Sequence, residues 1–390
     1  MSKTDYGIRV LDSPREIDAV PWDQLLAMQA QPTPFMQHAY LSALTESGSA
    51  TAATGWTPRF VTLWDSGNAL AAACPLYLKT HSRGEYVFDW AWADAYARHG
   101  LAYYPKAVVA VPFTPVPGTR LLARDAAARK ALVNALLEWC QKEQLSSLHL
   151  LFGDDADIQA CAQAGLMQRH TVQFHWTNGT PAHADFEAFL RTLNQDKRKK
   201  IRQERRKVAQ AGVTFRWATG TGIRAQDWDF FYRCYERTYL EHGNPPYLSR
   251  GFFTRMAATM PENWLLFIAQ RDERPIASSL IALSTLPGSG KTAYGRYWGA
   301  LERVDCLHFE ACYYQPLQWC IDHGFQRFEG GAQGEHKMAR ALLPVRASSA
   351  HWLAHPAFAA AVEQFLEREG QGVAGYLDEL SRHSPLRREP

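Results

Sequence analysis

Phe325-Gln326-Arg327-Phe328-Glu329-Gly330-Gly331-Ala332-Gln333-Gly334-Glu335-His336-Lys337 is the stretch from which the rest of the chain can be ordered. Residues 325–329 have the length and apolar content of a buried strand. Gly330, Gly331 and Gly334 then break it into a loop whose backbone can approach a ligand closely. Working back, helical spacing covers residues 308–323, and a strand covers residues 292–299. A hairpin of residues 264–270 and 276–284 turns across Arg271-Asp272-Glu273-Arg274, and Pro287-Gly288-Ser289-Gly290 leads from it into 292–299. Working forward, a strand is expected at 348–353 and a helix from Pro356.

The first half has a similar order. Strands are expected at 8–11, 60–64 and 69–79, the last two joined by Ser66-Gly67-Asn68, followed by a helix at 125–144 with Leu132, Leu136, Leu137 and Cys140 at helical spacing. A buried strand (148–152), a short helix (154–164) and an extended segment (166–176) complete it. Thr177-Asn178-Gly179-Thr180-Pro181 is turn chemistry. The expectation is an α/β (mixed α+β) protein of two tandem domains, 1–180 and 181–390, each a mixed sheet flanked by helices. At 390 residues and 46% hydrophobic content the chain has the material for two cores and is not disordered.

The formal charge of +3 hides an uneven distribution. Between Arg191 and Lys207 stand nine Lys/Arg against two Asp/Glu, so the remaining chain is slightly acidic. The start of the chain has no apolar run of signal-peptide length and no later segment has the length of a membrane span, so a cytoplasmic protein is expected. Seven cysteines without a C-x-x-C pair read as reduced core thiols.

Several motifs fail on spacing or context. Gly288-Ser289-Gly290-Lys291-Thr292 lacks the first glycine of a phosphate loop and joins two strands, whereas that loop opens a helix. His351 and His355 bracket a strand end rather than share a helix face, and no H-E-x-x-H occurs, so no metal site is expected. There is no G-x-S-x-G elbow. The aromatic cluster Asp89–Tyr96 fits either an acceptor cleft or core packing.

Two regions carry chemistry. On a helix covering residues 185–210, Leu190, Ile201 and Val208 form a packed stripe, while Arg198, Lys199, Arg202, Arg205 and Arg206 crowd the neighbouring arc. Like charges so placed repel, and arginine forks suit phosphate oxygens, so the arc is expected to bind phosphate or pyrophosphate. Phe215 and Trp217 nearby can stack on bases or pack in the core. The glycine loop gathers the second set: Glu329, Glu335 and His336 can each take a proton from an amine, with Gly330, Gly331, Gln333, Gly334 and Lys337 around them. Just upstream, Tyr297 is a candidate acid toward a leaving group, and Arg296, His308 and Glu310 are candidate substrate-binding residues.

The runs K-R-K-K-I-R-Q-E-R-R-K-V (197–208), R-Y-W-G (296–299), H-F-E-A-C-Y-Y-Q (308–315) and F-E-G-G-A-Q-G-E-H-K-M-A-R (328–340) together resemble the FemAB-like N-acyltransferases of the GNAT superfamily, over nearly the whole chain. The resemblance implies tandem GNAT-like domains and transfer of an acyl or aminoacyl group to an amine on a small molecule or peptide. The donor would be acyl-CoA, or aminoacyl-tRNA as in the Fem proteins that extend peptidoglycan precursors, with no tightly bound cofactor. The pyrophosphate loop of CoA-using GNAT enzymes would fall after Gly299, where the chain reads Ala300-Leu301-Glu302-Arg303-Val304-Asp305 with no glycine. A non-catalytic module binding RNA or a phosphorylated precursor through residues 197–207 is the alternative.

Overall fold

The computed structural model describes residues 6–288, 290–331 and 334–387, and the chain divides into two units. The first runs up to Thr171 and takes in Arg346–Tyr376; the second is Val172–Val345 with the residues from Leu377 on.

In the first unit β1 (Gly7–Leu11), β2 (Trp56–Trp64), β3 (Leu70–Lys79) and β4 (Lys106–Val109) form an antiparallel meander, with a short β5 (Leu122–Ala123) beside β3. The helix Ala126–Lys142 then crosses over to β6 (Ser147–Gly153), which pairs parallel to β4, as a parallel neighbour requires. Asp125 caps that helix, its carboxylate accepting from Ala128 N at 2.7 Å. Leu132, Leu136 and Cys140 on its inner face pack with Val61, Cys74, Leu76 and Val109 of the sheet. Helix Asp155–Gln163 leads on to β7 (Met167–Thr177).

The second unit repeats the plan. β8 (Val213–Thr219), β9 (Trp264–Arg271), β10 (Arg274–Ser284) and β11 (Thr292–Ala300) form the meander, and β12 (Arg327–Glu329) pairs parallel to β11. The helix Ala225–Glu241 lies so close to β11 that a Cβ on Gly299 would collide with the backbone carbonyl of Cys234. The last strand is β13 (Leu343–Leu353).

The closing strands are exchanged. Residues 348–353 of β13 pair antiparallel with β6 in the first unit, while residues 175–177 of β7 pair antiparallel with β12 in the second. In place of the single cut expected at residue 180 stand two discontinuous units whose boundaries fall inside β7, inside β13 and inside the C-terminal helix Pro356–Arg382. Turn residues locate a break in the chain; which sheet a strand joins is decided by packing.

One further expectation changes, and one left open is decided in favour of core packing. Residues 185–210 form two helices, Phe186–Arg191 and Gln195–Gln210, because Asn194 leaves helical geometry at ψ 160° and its side chain caps the second helix through Lys197 N. Asp89–Tyr96 lies largely in a helix, Trp90–Arg98, whose Trp92 and Tyr96 pack into a core with Tyr103, Val362 and Leu366. Asp89 itself joins Glu85 and Ser82 on the fully buried ammonium of Lys106, which the three satisfy together. All seven cysteines are unpaired. Among the described residues no helix is long and apolar enough to cross a membrane.

Candidate functional site

In sheets with parallel strands, ligands enter where neighbouring strands part at their carboxyl ends. Each unit has one such place. In the first unit it is filled by the chain's own residues 110–121. Gly118 N donates to Phe152 O at 3.1 Å and Arg120 Nε to Leu151 O at 3.1 Å, so the end of β6 is already bonded. Val111, Phe113, Val116, Thr119 and Arg120 are all buried.

In the second unit the corresponding place is open. β11 and β12 pair only as far as Tyr294 and Glu329. Beyond that β11 follows β10 instead, with a register shift between Leu280 and Ile281 that leaves Arg296 as the extra residue of a bulge. A cavity of about 120 Å³ lies in the divergence, lined by Arg296, Tyr297, His308, Cys312, Tyr313 and Gly330 among others. Arg296 donates to the Tyr297 hydroxyl at 3.2 Å and lies 5.0 Å from that ring's centre. Tyr297 is wedged between the rings of Phe231, Tyr235 and Phe253.

The helical run that bears His308 and Tyr313 is irregular: Leu307–Phe309 is α-helical, Glu310–Tyr314 is a π-turn, and Gln315–Asp322 is α-helical again. Pro316 explains the wide turn. It has no N–H for the Cys312 carbonyl, and Gln315 N reaches back to Glu310 O instead. The extra residue sends His308, Cys312 and Tyr313 to the cavity while Glu310 and Tyr314 face the basic helix.

His336 meets this group from the loop side, its Nε2 lying 3.2 Å from the Tyr313 hydroxyl. Burial, reinforced by the charges of His336, Arg340 and Lys337, pushes His308 down to about 4. Desolvation and the cations Arg340 and Lys337 lower His336 as well. Both rings are therefore neutral near pH 7 and able to accept a proton. Lys337 is buried, its ammonium donating to Gly331 O at 2.9 Å, and burial pulls it down to about 8. Gly331 and Gly334 hold φ of 83° and 104°, conformations that select glycine. A Cβ at Gly334 would run into the His336 ring.

The remaining candidates are dispersed. Glu329 is buried on the strand side opposite Phe328 and Gly330, with His175 Nε2 at 3.7 Å and Arg327 Nε at 3.7 Å, and does not line the cavity. Glu335 is exposed at the start of the turn Glu335–Arg340. Gln333 lies outside the described residues. Glu310 is buried, its Oε1 taken by Arg205 Nε at 3.1 Å and Gln315 Nε2 at 2.7 Å, and burial raises its pKa.

The basic helix Gln195–Gln210 packs through Ile201, Val208 and Glu204. Glu204 accepts from the Tyr314 hydroxyl and from Arg340 at 2.9 Å, and the Arg340 guanidinium lies 3.5 Å from the Phe309 ring centre. On the outer arc Arg202 pairs with Glu187 at 2.5 Å, and Arg205 is committed to Glu310 and to Gln318 at 3.0 Å. Arg198, Lys199 and Arg206 have no side-chain partner among the described residues. Arg202, Arg205 and Arg206 form one wall of a cleft of about 640 Å³ floored by Leu190, Val208, Val213 and Phe215. Where a CoA pyrophosphate loop would stand, Asp305 is paired to Lys207 at 2.8 Å and Cys306 turns at φ 65° into the helix. That carboxylate disfavours a phosphate at the same place.

Sequence reading missed Glu204, Tyr313 and Arg340. Glu204 was detectable, since it falls on the stripe of Ile201 and Val208 at helical spacing. Among the described residues no group of three His, Cys, Asp or Glu side chains is placed to hold a metal ion.

No curated protein matches the chain in sequence. Among solved structures, the C-terminal domain of a putative lysylphosphatidylglycerol synthetase from Agrobacterium fabrum aligns with a TM-score of 0.54 at 11% identity, over 91% of this chain and 97% of that one. L-PGS from Bacillus licheniformis aligns with 0.53 at 11% identity, over 90% and 97%. A tandem GNAT protein from the clavulanic acid biosynthesis pathway aligns with 0.48 at 13% identity, over 90% and 99%. The first two share the fold through both units. A family profile described as FemAB-like, peptidoglycan biosynthesis/recognition, matches residues 13–388.

Proposed function

The chain belongs to the FemAB-like family, and from that membership we propose that its second unit transfers an acyl or aminoacyl group from an activated donor to an amine, such as that of a peptidoglycan precursor. The observation that carries the reading is the open divergence of β11 and β12, where Arg296, Tyr297, His308 and Tyr313 line one cavity with His336 at its edge.

The substrate amine attacks the thioester or ester carbonyl. The nitrogen lone pair forms the C–N bond, and the C–S or C–O bond breaks. His336, neutral and held by Tyr313, takes the proton from the nitrogen. Tyr297 returns a proton to the departing thiolate or alkoxide. Arg296 and the backbone amides of the glycine loop face the oxygen on which charge develops. His336 is assigned as the base because its Nε2 lies 3.2 Å from the cavity-lining Tyr313 hydroxyl, whereas Glu329 lies on the side of its strand away from the cavity. Among the described residues Arg198, Lys199 and Arg206 have no side-chain partner and can meet donor phosphates; Arg202 holds only the solvent-exposed Glu187, while Arg205 is committed to the buried Glu310.

The test is mass spectrometry of the purified protein with acetyl-CoA, longer acyl-CoAs and charged tRNA, each with a peptide amine. Transfer from one donor class is expected. Retention and transfer of none would leave the non-catalytic binding module in its place.

A further inference from the structure

The face of β8 next to the basic helix has a feature that acid–base chemistry does not use. Strand alternation puts Val213, Phe215 and Trp217 on one face. Val213 and Phe215 floor the cleft whose wall carries Arg202 and Arg206. Trp217 continues that face and is 49% exposed, a large share for an indole in a folded protein. It is nonetheless held in place. Trp319 and His323 meet its ring at 77° and 88°, with centroids 6.0 and 5.4 Å away, and they stack on each other at 4.1 Å.

We propose that this cleft is a nucleotide site, with the base stacked on Trp217 and the phosphates on Arg206 and Arg202. A fixed, half-exposed indole supports a base by its π-face. Arg206 has no competing side chain among the described residues. Arg202 has only the solvent-exposed Glu187, a pair weak enough to be exchanged for phosphate. The apolar floor of Leu190, Val208 and Val213 excludes water from beneath the ligand.

The inference rests on the transfer reading in one respect: both donor classes, acyl-CoA and aminoacyl-tRNA, end in an adenine nucleotide. It places that nucleotide beside the basic helix, away from the Asp305 turn that replaces the usual phosphate loop.

The test is binding of ADP, by calorimetry and tryptophan fluorescence, to the full chain without any acceptor. Adenosine and pyrophosphate are each expected to bind at least about tenfold more weakly than ADP, because each lacks one half of the recognition. Trp217→Ala and the surface change Arg206→Glu are each expected to weaken ADP about tenfold or more. Absence of ADP binding at millimolar concentration, or binding that neither variant changes, overturns the site. Coenzyme A and a CCA trinucleotide form the comparison arms, and whichever outcompetes ADP identifies the source of the nucleotide. ADP binding without turnover on any donor would count against the transfer reading alone. Turnover indifferent to both variants, together with unaltered ADP binding, would count against the site alone.

Discussion

The carboxylate of Glu204, in the middle of the basic helix, receives the Arg340 guanidinium at 2.9 and 3.1 Å, with both side chains buried. It is the one acid in the cationic run 197–207 and ties that helix to the turn that presents His336, whose carbonyl Arg340 also holds at 2.6 Å. Removing one partner of a buried ion pair strands the other. Glu204→Gln is therefore expected to cost about 3–5 kcal/mol of stability. Chemical denaturation of the variant checks this, and a loss below about 1 kcal/mol would show that the pair is hydrated rather than buried.

The three proton acceptors expected from sequence separate by position. His336→Ala is expected to lower the transfer rate about 10²-fold or more. Glu335→Ala is expected to lower it far less, because the proton is assigned to His336, whose ring meets the cavity-lining Tyr313. Tyr313→Phe, which frees the His336 ring, should change the pH profile of the rate as well as its size. Single-turnover rates across pH distinguish these outcomes, and a large effect confined to Glu335→Ala would transfer the base to that residue.

Stability should fall in acid. Burial depresses His308 to about 4 and His175 and His351 to about 3, against about 6.5 in an unfolded chain. Between those values the unfolded state binds more protons than the folded one, so the stabilisation is complete above about pH 6.5 and is lost as pH drops toward 4 and 3. In urea midpoints measured from about pH 6.5 to pH 4, the contribution of these three histidines should appear as a decline that variants replacing them lack.

Gly299 faces the backbone carbonyl of Cys234 with no flexible side chain between to give way. Gly299→Ala should cost about 3 kcal/mol by forcing helix Ala225–Glu241 off the sheet. A thermal melt that matches the parent protein would show that the helix can retreat freely.

The hairpins, the crossover and the glycine loop were legible in the sequence because turns, helical spacing and glycine conformations are local properties, whereas β4 and β8, which no tight turn announces, went unread. The exchange of β7 and β13 was not, since Trp176 and Trp352 have the same strand character whichever sheet they join. Glu329 shows a partial failure. Its type suggested a base, but alternation with Phe328 and Gly330 already placed it on the other side of the strand. In the basic helix, residue type alone predicted five free cations. Arg202 and Arg205 instead found Glu187 and Glu310, acids remote in sequence. Pro316 could be read as a helix disturbance, but not that the resulting wide turn would put His308 and Glu310 on different sides.

The segment 110–121 that closes the first unit's crevice has a stoichiometric consequence. A frame built twice, with Arg120 and its neighbours lodged in one of the two openings, has a single vacancy to titrate. A tight inhibitor directed at the transfer cavity should saturate at one equivalent per chain, and no mutation in the second unit should uncover a second equivalent.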